Sequence, residues 1–302
     1  MTRDGSPTAT RRIVALLPAA TEIVCALGLR DRLVGRSHEC DFPAGVEELP
    51  ALTRARVEST ARSGAIDRQV RAVLAAGGPL YDVDEERLAA LEPDVVVTQE
   101  ACEVCAVSYE QVAACVARAG VGSTIVSLGP QRLEDVLADV SRVAAACGVA
   151  AEGERVEAEL RRRLRVLGAS ASGDRAGTCA RPRVAIVEWL DPPMLAGHWV
   201  PDVIAAAGGV PVGPAAGEPS PYVSWDDIAA LAPDVVVVAP CGFDLARVEV
   251  EAAPFEDRLL PLAPRLLLLD GNAYLNRPGP RLVDAAEILA GYLRDAGSVR
   301  SG

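Results

Sequence analysis

The residues able to carry chemistry in this chain are few, and they gather. Among 302 residues there are two histidines, three tryptophans and eight cysteines. His38 stands in the polar run Arg36-Ser37-His38-Glu39-Cys40, and His198 stands between Gly197 and Trp199. Cys102-x-x-Cys105 and Cys241-Gly242-Phe243 complete the set. Imidazole and thiolate are the donors of zinc and iron–sulfur centres, so His38, Cys40, Cys102, Cys105, His198 and Cys241 are candidate metal ligands. A single Cys-x-x-Cys without a second pair also reads as small buried hydrophobes. A thiol redox pair is a third option, although the motif does not open a helix in a thioredoxin-like pattern. Cys25, Cys115 and Cys147 lie in apolar helical patterns and read as packing residues.

Other candidates share the same kind of position, a loop after a predicted strand. Glu188 could accept a proton or bind a cation, or merely cap a helix. Trp189 and Trp199 could stack on a planar ligand, or fill a hinge. Arg277 and Arg281 flank Pro278-Gly279-Pro280 at a helix start, where they could hold an anionic group. Pro18, Glu100, Asp191, Phe243, Asn272 and Tyr274 join them as candidate ligand contacts. The chain has no P-loop, no Gly-x-Gly-x-x-Gly and no Gly-x-Ser-x-Gly, which argues against a nucleotide enzyme or a serine hydrolase.

Stepping from these loops to their supports, short apolar runs alternate with amphipathic stretches along the whole chain. Strands are predicted at 13–17, 33–35, 95–97, 123–128, 184–187 and 265–269, and helices at 66–76, 109–119, 133–146, 151–167 and 280–294. Thr21 predicts the N-cap of a helix reaching residue 26. In the 151–167 helix, Glu157 precedes Arg161 and Glu159 precedes Arg163 by four residues, the favourable order for ion pairs. Residues 168–182 are rich in Ala, Ser and Gly and read as a linker. Leu91-Glu92-Pro93-Asp94-Val95-Val96-Val97 returns as Leu231-Ala232-Pro233-Asp234-Val235-Val236-Val237, so one unit is used twice. Alternation of this kind means α/β with mostly parallel sheets, in two lobes joined by helices near mid-chain. Ligands of such sheets bind beyond the carboxyl ends of the strands. The loops named above are therefore expected to converge on one cleft between the lobes.

Composition bounds the rest. Hydrophobic residues make up 50% and charged residues 24%, the balance of a soluble globular chain. A formal charge of −12 argues against nucleic acid or an anionic membrane as partner. No segment reaches the roughly 20 apolar residues of a membrane-spanning helix. The polar start and the interruption of the first apolar run by Pro18 do not match a signal peptide, so a cytoplasmic, monomeric protein is expected, or a periplasmic or extracellular one if the start is misplaced.

Residues 13–28 followed by Leu33-Val34-Gly35, the Pro93-Asp94 strand, Asp191-Pro192-Pro193 through Gly208-Gly209, and Pro280-Arg281-Leu282 resemble the iron-siderophore and vitamin B12 class of substrate-binding proteins. The resemblance spans residues 12 to about 296 and is nearest to the B12-binding members. It implies an α/β protein of two Rossmann-like lobes, 12–130 and 182–297, bridged by a rigid helix, with a ligand cleft between the lobes. Residues 1–11 would be a tail, 131–168 the helical connection and 169–181 the linker. It implies a non-enzymatic binder of a cobalamin-like corrinoid or metal chelate, with an ABC permease as partner if exported. Two features are expected to set the chain apart: a start that does not read as an export signal, and Met194, Glu100, Cys102 and Cys105 where rings line the cleft of B12-binding members. The alternative is a cytoplasmic metalloprotein or thiol-dependent enzyme holding zinc, iron or an iron–sulfur centre on the same residues.

Overall fold

The computed structural model of the chain describes residues 11–100, 109–173 and 180–295. The chain divides into two compact units. The first holds Met1–Arg56, Pro79–Gly129 and Ser141–Glu154; the second holds Val57–Gly78, Pro130–Val140 and Arg155–Gly302.

The first unit is built on a parallel sheet in the order Leu33–Arg36, Ile13–Ala15, Val95–Gln99, Thr124–Leu128. Its two central strands are apolar at successive positions because both faces are covered, and Ile13, Val14, Ala15, Val95, Val96 and Val97 are fully buried. The second unit repeats the design with Arg265–Leu268, Val235–Val238 and Arg183–Leu190 in parallel. Pro193–Leu195 adds antiparallel to Arg183–Leu190, and Val210–Pro211 adds parallel. Alternate residues of these strands feed two cores, as the two-residue period of a strand requires. Val184, Ile186, Val235 and Val237 face the helices Val200–Ala206 and Leu282–Asp295. Ala185, Val187, Val236 and Val238 face Ile228, Phe243 and Val248.

The repeated Pro-Asp pair has the same structural task in each unit. Asp94 Oδ2 accepts the backbone N–H of Arg12 at 2.7 Å, and Arg12 Nε donates to the Leu91 carbonyl at 2.8 Å. Asp234 Oδ2 accepts the N–H of Arg183 at 2.7 Å, and Arg183 Nε donates to the Ala232 carbonyl at 3.1 Å. Each aspartate thus ties the start of the neighbouring strand to the end of the preceding helix.

The structure corrects several local expectations. The first helix is Pro18–Ala26, with Pro18 in its first turn and Thr21 buried inside it rather than capping it. Proline loses no hydrogen bond there and its φ is already helical. The long helix is Ala150–Gly173 and continues into the run read as linker, because alanine favours helix strongly. Its ion pairs also differ. Arg161 pairs with Glu157 as expected, but Glu159 takes Arg162, and Arg163 turns to Asp284 and Glu287 on the closing helix. Two tertiary carboxylates outcompete one local carboxylate. Thr53–Ala55 and Tyr81–Val83 form an antiparallel pair that the sequence pattern does not reveal.

Candidate functional site

In the first unit the loop after Leu33–Arg36 carries a packed polar cluster. His38 Nδ1 lies 2.7 Å from Thr53 Oγ1, which also accepts the His38 N–H at 3.0 Å. Thr53 Oγ1 donates onward to Ser37 Oγ at 2.9 Å, and Ser37 Oγ accepts the N–H of Glu39 at 3.3 Å. The His38 ring leans on Tyr81, centroids 5.7 Å apart. Burial, and secondarily the charge of Arg36, lowers the His38 pKa, so its imidazole is neutral at pH 7. Cys40 is buried, its sulfur accepting the Thr21 hydroxyl at 3.0 Å. Pro18 is buried at the helix start, and the exposed Glu100 anchors its N–H on the Leu128 carbonyl at 2.9 Å. Cys102 and Cys105 lie outside the described residues.

In the second unit the two candidate tryptophans, Trp189 and Trp199, are half-buried and differently held. Trp189 Nε1 donates to the Asp191 carbonyl at 3.2 Å, and its ring meets Phe243 at 5.4 Å. Trp199 Nε1 donates to the Leu275 carbonyl at 2.8 Å, which brings it to the loop after Arg265–Leu268. His198 stacks on Trp199 at 5.7 Å and lies 3.0 Å, through Nδ1, from Gln131 Oε1. His198 is held in the left-handed region at φ 49°, its N–H on the Glu218 carbonyl at 2.6 Å and its carbonyl taking the Gly217 N–H at 2.9 Å. Burial lowers the His198 pKa as well.

The remaining candidates divide. Phe243 is 1% exposed and packs into the core, under the Arg247 guanidinium 3.5 Å from its ring centre. Arg277 is buried and donates to Asn272 Oδ1 at 2.7 Å, so these two form one unit of structure. Glu188, Cys241, Tyr274 and Arg281 are half-buried, and Asp191 is exposed. Asp191 borders a hollow of about 310 Å³ that Arg62, Arg68 and Glu251 also line. Among the described residues no group of three His, Cys, Asp or Glu side chains comes together to hold a metal ion, so the zinc and iron–sulfur expectation has no support there. Thr53, Ser37 and Gln131 were not candidates by sequence; Ser37 stands in the polar run with His38, and no motif contains Thr53 or Gln131.

The buried thiols are poor nucleophiles. Burial pushes Cys147 up to about 11, and burial with the Glu85 carboxylate pushes Cys115 to about 11. At pH 8 about one in a thousand of such groups is thiolate, and the thiolate is the reactive form. Peptide mapping after brief alkylation of the folded protein at pH 8 should therefore find Cys115 and Cys147 unmodified, with both labelled in denaturant. Rapid labelling of either in the folded protein would contradict these burials.

Two mainly parallel α/β sheets of repeated design carry rings and imidazoles on the loops beyond their strands, where open α/β sheets take their ligands. The chain belongs to the periplasmic binding protein family, whose model matches residues 13–260. It is similar to a Vitamin B12-binding protein of Vibrio cholerae, 22% identical over 97% of this chain and 92% of that one. Among solved structures it resembles the apo periplasmic heme-binding protein RhuT from Roseiflexus sp. RS-1, with a TM-score of 0.70 at 25% identity, covering 96% of this chain and 100% of that one. The periplasmic vitamin B12 binding protein BtuF of Vibrio cholerae matches with a TM-score of 0.66 at 21% identity, covering 95% and 98%. No helix among the described residues is long and apolar enough to cross a membrane. The two solved neighbours are periplasmic by description, and the cytoplasmic expectation finds no support in them.

Proposed function

We propose that this chain is a non-enzymatic binding protein for a flat, metal-centred macrocycle, and that the ligand is a cobalamin-like corrinoid. The observation that carries the reading is similarity to a B12-binding protein along 97% of the chain. The loops beyond the strands support it chemically. Half-buried Trp189 and Trp199 offer ring faces to a planar ligand, and His198, stacked on Trp199, offers an imidazole to its metal. The similarity to a heme-binding protein fits the same ligand shape. The periplasmic location fits these relatives, and delivery to an ABC importer follows from it.

The test is a titration of the purified protein with aquocobalamin, cyanocobalamin and hemin, read by absorption and calorimetry. A shift of the corrin bands with heat of binding supports the proposal. Binding of hemin alone moves the ligand to heme. No response to any of the three at tens of micromolar sinks the macrocycle reading.

A further inference from the structure

We propose that the hollow at Asp191 is a subsite for a primary amide on the rim of the macrocycle, with Arg68 donating to the amide oxygen and Asp191 accepting the amide N–H. The inference rests on the function proposed above and deepens it. The ligand is one whose rim carries carboxamides in place of carboxylates.

Every residue lining the hollow belongs to the second unit. One wall is the start of the helix Ser63–Ala75, and another is the loop after Arg183–Leu190. Glu251, Pro254 and Phe255 close it. The helix start is already answered. Glu251 is 4% exposed, accepts the N–H and the hydroxyl of Ser63 at 2.8 and 2.6 Å, and lies 3.9 Å from Arg62. A carboxylate in that place also meets the positive end of the helix dipole, so an anionic ligand gains little there. Arg68 and Asp191 are placed differently. The Arg68 guanidinium and the Asp191 carboxylate line the same hollow, yet neither has an ion pair or hydrogen bond among the described residues. Asp191 lies flush on the helix backbone, which only a residue without a side chain allows. A methyl on Gly64 would run into Asp191 Oδ2 and stand 2.8 Å from its Cγ.

The chemistry selects the group. A primary amide carries an acceptor oxygen and a donor nitrogen, so it satisfies a guanidinium and a carboxylate together. A carboxylate can only accept; it would pair with Arg68 and leave Asp191 facing a like charge. The lining holds two arginines and two carboxylates, a neutral set that a neutral group enters without unbalancing it. Size and place agree. About 310 Å³ is at the low end of ligand pockets, enough for a side arm and too small for a whole macrocycle. The Asp191 carbonyl accepts Trp189 Nε1 at 3.2 Å, so a plane lying on the Trp189 face brings its rim to the hollow. Ile66, on the helix that walls the hollow, packs on the same core as Trp189. Corrin rims carry primary amides, whereas the rim of heme carries carboxylates.

Mild acid turns one propionamide of cyanocobalamin into a propionate, giving a set of separable monocarboxylic acids that differ only in which arm is charged. Calorimetric titration of the full chain should find one of these acids bound about tenfold more weakly than cyanocobalamin, and the others within about twofold; the hollow is open to water, which keeps the penalty modest. That comparison needs no variant. Asp191→Asn, whose amide can donate to a carboxylate, should cut the penalty to about twofold. Arg68→Gln should weaken cyanocobalamin itself by about fivefold. Both positions are exposed, and the urea midpoint of each variant checks that the chain stays folded. Acids that all bind alike, whether as tightly as cyanocobalamin or uniformly weaker, overturn the amide subsite and leave the corrinoid reading standing. A penalty unchanged in Asp191→Asn does the same. If the wild type binds hemin and no cobalamin, or none of them, the function proposed above fails and the subsite falls with it.

Discussion

Gly271→Ala should destabilise the second unit by about 3 kcal/mol, the upper end of what overpacking costs. The added methyl would stand 2.6 Å from the Ala239 carbonyl oxygen, 2.7 Å from its carbon, and also against the Pro240 oxygen. All three are backbone atoms at the end of the fully buried strand Val235–Val238, so no flexible side-chain tip can move aside. The φ of Gly271 is not in the left-handed region, so the cost is steric and not conformational. The same approach positions candidate residues: the N–H of Asn272 donates to the Phe243 carbonyl at 3.1 Å. Gly291→Ala is the internal control. Gly291 lies inside the helix Leu282–Asp295 with nothing within 4 Å of a built methyl, and alanine there should stabilise by about 0.5–1 kcal/mol. All three tryptophans, Trp189, Trp199 and Trp225, belong to the second unit, so fluorescence-monitored urea unfolding reads it directly. Gly271→Ala should lower the melting temperature by roughly 6–12 °C. A variant within about 0.5 kcal/mol of wild type would show that the Ala239–Pro240 backbone gives way freely.

The parts of this protein legible from sequence are those written in local pattern. Buried parallel strands show as Val235-Val236-Val237-Val238, and helices such as Leu133–Ala146 show in their period. The repeated Pro-Asp was recognisable as a signature, and the structure supplies its reason in the Asp94–Arg12 and Asp234–Arg183 bonds. Short strands escape, since three residues such as Thr53–Ala55 are too few to declare a period and pair with a partner almost thirty positions away.

The candidate site escapes further for the same reason. His38 and His198 are conspicuous by scarcity, but their partners are ordinary. Thr53 stands 15 residues from His38, and Gln131 stands 67 from His198. Only the fold brings them together. Scarcity also misleads, because it counts a ring without its orientation. Phe243 stands in a loop after a strand, yet that loop turns its ring inward against Trp189.

That inward ring sets the second large effect. Phe243→Ala should cost about 3–5 kcal/mol, the range for deleting a fully buried phenylalanine. Phe243 sits in the core with Ile228, Val248 and Leu259, against the sheet face formed by Val236 and Val238. Two further neighbours lose a partner at once. Trp189 loses the ring it tilts on, and the Arg247 guanidinium loses the face 3.5 Å below it while still donating to the Ala61 carbonyl at 2.7 Å. Phe243→Leu keeps most of the volume and should cost far less. The readouts are the urea midpoint and the emission of Trp189, which should shift in Phe243→Ala under conditions where the protein stays folded. If Phe243 is a core residue, cyanocobalamin or hemin, whichever the wild type binds, should bind the folded Phe243→Leu variant with affinity within about threefold of wild type. A stable Phe243→Leu protein that loses the ligand would instead make the ring a direct contact, and would require that this loop turn outward when the ligand is bound.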